Sequence, residues 1–112
     1  IEKDSLKHMK KLEKLDLSSN FIETIQEEGF YGLKKLNELD LSMNEIRIFK
    51  KRTFLRLDNL KKLDLSSNLG LNSLNDMFFG LNSLSELYLS DNKMVIIKKR
   101  SFLGKDFIKK ID

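Results

Sequence analysis

The sequence predicts an α/β solenoid: a right-handed curved superhelix with a parallel β-sheet on the concave face and loops or short helical turns on the convex face. Three observations lead there. A nine-residue pattern, LxxLxLxxN, occurs as LEKLDLSSN (Leu12 to Asn20), LNELDLSMN (Leu36 to Asn44), LKKLDLSSN (Leu60 to Asn68) and LSELYLSDN (Leu84 to Asn92), so its asparagines recur every 24 residues. Self-similarity at such a period marks stacked units, each burying its apolar face against its neighbours. Inside each copy leucines alternate with polar residues, as in Leu15, Asp16, Leu17 and Ser18, which puts the leucines on the inner face of a short strand. Finally, a phenylalanine follows each asparagine by ten residues: Phe30, Phe54, Phe78 and Phe102.

Taken in order, residues 1–112 form one array, with a partial unit 1–11, four full units 12–35, 36–59, 60–83 and 84–107, and a partial unit 108–112. The full period reads LxxLxLxxNxIxxIxxxxFxxLxx. The strands stack in parallel about 4.8 Å apart. After each strand the chain turns and leaves backbone groups inside, so Asn20, Asn44, Asn68 and Asn92 are read as a structural ladder whose amides serve the loops above and below. The phenylalanine series is read as a structural spine filling the outer volume. Two units depart from the pattern. After Asn68 the apolar residues are Leu71 and Leu74, one position late, which predicts a one-residue bulge with Gly70 supplying permissive backbone. In the last unit Lys105 stands where Leu33, Leu57 and Leu81 stand elsewhere, and Phe107 is expected to swing in for it.

This pattern resembles the leucine-rich repeat family along the whole chain, and specifically its typical 24-residue subclass, found in Toll-like receptors and small leucine-rich proteoglycans. The resemblance implies a protein-binding module of an extracellular or cell-surface protein, of receptor or matrix type, that contacts its ligand through the concave face. A structural or self-assembling repeat protein and an intracellular scaffold are the alternatives. Neither end carries a cap: Leu6 and Met9 at one end, Ile108 and Ile111 at the other, would be open. The chain is therefore expected to be an internal piece of a longer protein, or to stack on other subunits, with any membrane attachment outside it.

Composition narrows the chemistry. There is no cysteine and a single histidine, so disulfides, thiolate sites and histidine-cluster metal sites are excluded by count. No base, nucleophile and oxyanion arrangement can be assembled, so no enzyme and no cofactor are expected. The net charge of +4 comes from 21 basic and 17 acidic residues interspersed along the chain, which does not argue for nucleic acid. His8 is read as solvated surface.

The outward strand positions form columns. Lys14, Glu38, Lys62, Glu86 and Lys110 alternate in sign, while Asp16, Asp40, Asp64 and Asp112 share a column interrupted by Tyr88. An aspartate column has the oxygens Ca²⁺ prefers, but flanking lysines oppose it and no metal is expected. Ser18, Ser42, Ser66 and Ser90 are read as small polar filler. Specificity should lie where copies deviate, so Glu38, Met43, Glu86, Tyr88 and Asp91 are the candidate ligand-binding residues, led by Tyr88 as an exposed aromatic. On the far side, the basic triplets Lys50-Lys51-Arg52 and Lys98-Lys99-Arg100 alternate with acidic or nearly neutral ones such as Gln26-Glu27-Glu28. They are read as electrostatic register between units or as contacts for a polyanion such as a sulfated glycan or an acidic protein. No aromatic lies in either triplet, which argues against single-stranded nucleic acid.

Overall fold

The computed structural model describes residues 1–71, 74 and 78–93, and the backbone of 110–111. Five short strands, β1 (Lys14–Asp16), β2 (Glu38–Asp40), β3 (Lys62–Asp64), β4 (Glu86–Tyr88) and β5 (Lys110–Ile111), form one parallel sheet in chain order. The register follows the sequence repeat: Leu15 pairs with Leu39, Leu39 with Leu63, Leu63 with Leu87, and Leu87 with Ile111. A parallel pair needs a crossover between its strands. Here the crossover is the rest of the period, built of turns, with no helix among the described residues. The outer side is thus loops rather than helical turns.

The core is one layer of leucines behind the strands and one of phenylalanines on the outer side. Leu36, Leu39, Leu41, Leu60, Leu63 and Leu65 are completely or almost completely buried, as are Phe30 and Phe54. The Phe30 and Phe54 rings stack 5.7 Å apart and within 5° of parallel, and Phe49, at the phase of Ile25, closes on Phe54 at 5.0 Å. Phe78 is buried in series with them. Phe102, Lys105 and Phe107 lie outside the described residues. At the other end of the array Leu6 is half-buried and Met9 exposed.

The asparagine ladder works in one direction only. Asn68 Nδ2 donates to the Leu65 carbonyl of its own unit at 2.9 Å and to the Leu41 carbonyl of the preceding unit at 3.0 Å, and its Oδ1 accepts the Ile46 N–H at 3.1 Å. Asn44 repeats the set with Leu41, Leu17 and the Ile22 N–H. The Asn44 and Asn68 amides therefore stitch their own turns to the ones before them, not to turns on both sides. The third unit shifts this stitch. Asn92 Oδ1 accepts the N–H of Asn68 itself at 2.8 Å, two residues earlier than the regular partner. That displacement accompanies the late leucines, and Leu71 and Leu74 are both buried. Gly70 contributes differently from expectation. Its φ is not positive, and a Cβ there would lie 2.7 Å from the Arg47 side chain, so the glycine is needed for close approach to the preceding unit.

Candidate functional site

The strand face carries two columns of outward side chains, and the fold gives each a defined job. In the aspartate column one carboxylate oxygen is already committed. Asp16, Asp40 and Asp64 Oδ1 accept the backbone N–H of Ser18, Ser42 and Ser66, each at 2.9 Å. Ser18 and Ser42 hydroxyls donate to the same oxygens at 2.6 Å, so these serines are more than filler. The two hydrogen bonds from Ser18, hydroxyl first and then N–H, hold the Asp16 carboxyl below its usual range. Aspartate thus closes the turn after β1, β2 and β3, and this local bond offsets the mutual repulsion of stacked carboxylates. Among the described residues no group of three His, Cys, Asp or Glu side chains converges as a metal site.

In the alternating column Lys14 Nζ lies 3.1 Å from Glu38. The alternation then gives way to a local cluster. Tyr88 Oη donates to Glu86 Oε2 at 2.7 Å, and Lys62 Nζ sits 5.4 Å from the centre of the Tyr88 ring. Tyr88 is therefore half-buried and held on two sides, rather than the freely exposed aromatic expected from the sequence. Between β1 and β3 the face forms an open depression of about 260 Å³, lined by Lys14, Asp16, Glu38, Asp40, Lys62 and Asp64. Tyr88 stands next to Asp64 in the register, beyond the rim of that depression.

Met43 and Asp91 sit in the turn that follows the strand. Ser19, Met43, Ser67 and Asp91 all have left-handed backbone, with φ between 54° and 56°. The backbone continues the strand ladder there: Ser19, Met43 and Ser67 N–H groups donate to Ser42, Ser66 and Ser90 carbonyls. Only the side chain differs from unit to unit, and Met43 leaves 59% of its surface exposed, with Asp91 also exposed.

On the turn side, Glu28 is clasped between units. Its carboxylate meets Lys3 Nζ at 3.2 Å and the Arg52 guanidinium, and its N–H donates to the Arg52 carbonyl at 2.9 Å. The Lys3 hydrogen bond, with the charge of Arg52 added, holds the Glu28 carboxyl below its ordinary value against the opposing pull of burial. Arg52 is thus engaged in inter-unit register. Lys50 and Lys51 are exposed, and Lys98, Lys99 and Arg100 lie outside the described residues. The triplet is also less aromatic-poor than its sequence suggests, because Phe79 from the next unit comes beside it, with Lys51 Nζ 5.5 Å from the ring centre.

Sequence reasoning passes over the exposed apolar residues Phe21, Tyr31, Ile48, Leu69 and Phe79. A signal exists for part of this set. Tyr31 and Phe79, like the half-buried Leu55, each follow a spine phenylalanine directly, at a position where the strand and core pattern requires nothing apolar.

The leucine rich repeat family model matches residues 1–46 and 34–94, most of the chain. No curated protein matches in sequence. Among solved structures, a chain in the Toll–Spatzle complex, a molecular hub in Drosophila development and innate immunity, superposes with a TM-score of 0.84 at 20% identity. The match covers 95% of this chain and 14% of that one. At this identity the likeness is one of fold, a leucine-rich-repeat solenoid.

Proposed function

This chain belongs to the leucine-rich repeat family, as a protein-interaction repeat domain and not an enzyme, and from that premise we propose that it is a ligand-binding segment of an extracellular or cell-surface protein of receptor or matrix type. Its protein ligand docks on the strand face. The observation that carries this reading is the depression lined by both charge columns, with Tyr88 held beside it by Glu86 and Lys62. A pre-positioned aromatic loses little rotamer freedom on binding, and tyrosine is enriched among residues that dominate binding energy. The aspartates use one oxygen on their own turn, which leaves the other to accept hydrogen bonds from a ligand. Glu38 faces the depression, Glu86 holds Tyr88 in place, and Met43 and Asp91 supply contacts at the edge of the face. The structural neighbour was solved in complex with Spatzle, which supports a protein as the ligand class.

A photo-cross-linking residue at position 43 or 91 identifies the ligand among secreted and cell-surface proteins. Titration of that purified ligand should then show affinity losses of about 10-fold or more for Tyr88→Ala, and a smaller loss for Glu38→Lys, with unchanged circular dichroism. Full affinity in both variants would sink the reading.

A further inference from the structure

We propose that the turn side bears a second docking surface, which takes an acidic segment of a partner protein and seats one of its apolar side chains between Leu55 and Phe79. The surface is composed by the repeat. The first three full units bury their spine phenylalanines, and the next residue in each, Tyr31, Leu55 or Phe79, lies toward the outside. Tyr31 is 41% and Phe79 48% exposed, and Leu55 between them is half-buried. Three successive apolar residues at an outward position do nothing for the core. Two open depressions, of about 360 and 330 Å³, meet at Leu55 and Phe79. Arg56 and Asp58 line the first, and Lys51 and Arg52 the second.

Charge says which partner fits. Among the described residues, the two depressions carry three cations, Lys51, Arg52 and Arg56, against one carboxylate, Asp58. Arg52 is committed to Glu28, which leaves Lys51 and Arg56 to attract an anionic group. Arg56 holds its place against a local preference: its φ is 72°, while glycine occupies the equivalent position in the neighbouring units, Gly32 at 99° and Gly80 at 92°. Left-handed backbone is uncommon for a residue with a Cβ, so glycine would be the relaxed choice where the chain has an arginine. An acidic protein segment with an apolar anchor matches these features better than a nucleic acid does. Lys51 already covers a face of Phe79, which hinders base stacking there, and Leu55 offers an aliphatic contact rather than a ring.

The surface is tested by nuclear magnetic resonance and fluorescence titration of the protein with a labelled peptide in which aspartates and glutamates flank a Phe-Leu pair. Its lysine-for-acid counterpart and oligo(dT) are the controls. Saturable binding of the acidic peptide is expected, with shifts centred on residues 51–58 and 79. Phe79→Ala should weaken it about 10-fold, and salt should weaken it further. Arg56→Gly should weaken binding several-fold while the melting temperature stays level or rises, a combination that a purely structural role for Arg56 does not produce. Tyr88→Ala should leave this binding unchanged, which separates it from ligand contact at the strand face. Equal binding of the lysine peptide, preference for oligo(dT), indifference to Phe79→Ala, or no saturation by about 1 mM, a Kd already as weak as ~4 kcal/mol of binding, would overturn the proposal.

Discussion

Leu12 to Asn20 and Leu60 to Asn68 differ in sequence at one position, Glu13 against Lys61, yet they behave as different materials. Leu63 and Leu65 are fully buried, and Asn68 is buried with donors and acceptor spread over two units. Leu15 and Leu17 are half-buried, and Asn20 is exposed, with its amide bonding only the Leu17 and Ser18 carbonyls of its own turn. Identical residues therefore gain their stabilisation from the preceding unit, as nearest-neighbour energetics of a repeat array requires. A motif is a capacity for burial, and the neighbour realises it.

The core carries the largest expected effects. Phe54→Ala removes a ring packed on both Phe30 and Phe49 and should cost about 4 kcal/mol by urea unfolding. Leu63→Ala should cost about 3 kcal/mol, and the matching Leu15→Ala only about 1 kcal/mol, because less surface is lost and no closed cavity forms. Equal costs at positions 15 and 63 would show that intrinsic strand preference, and not the neighbouring unit, sets the stability.

The amide ladder comes next in magnitude. Asn68→Ala leaves the Ile46 N–H without its partner and takes one of two amide donors from each of the Leu41 and Leu65 carbonyls, which Asn44 and Asn92 also reach, and should cost about 2–3 kcal/mol. Asn20→Ala should cost under about 1 kcal/mol, since water reaches the groups it abandons. Hydrogen exchange of the Ile46 amide should accelerate in the first variant and stay unchanged in the second.

The smallest effect lies on the turn side, where Glu28 joins units through Lys3 and Arg52. Its folded-state pKa is lowered, so its contribution is present above the ordinary glutamate range and is lost as pH falls through the lowered value. Stability measured from pH 7 down to about pH 3 should decline less steeply in Glu28→Gln than in the parent. Parallel curves would show that the clasp is a register device without energetic weight, the usual case for exposed ion pairs.

Much of this is legible in the amino-acid sequence. The period places Leu39, Leu63 and Leu87 in register on adjacent strands, and the alternation of Lys14 with Glu38 predicts the ion pair found there. The reach of each asparagine is less legible, because sequence spacing carries no direction between units. Nor does the sequence show that the aspartate column closes its own turns through serine, a bond set by backbone geometry after the strand. Tyr88 stands out as an aromatic breaking an aspartate column, but its capture by Glu86 and Lys62 depends on side chains that only the stacked register brings together.

The sequence by itself determined the repeat, its strand register and the identity of the core, because period and alternation are one-dimensional properties that parallel stacking maps directly onto space. Tertiary structure alone decided which copies of the motif are buried, where Asn92 shifts its bond to accommodate the late leucines, and that Phe79 of one unit stands beside Lys51 of another. Those outcomes depend on which residues face one another across about 24 residues of chain, and side-chain contacts between units are set by distance in space.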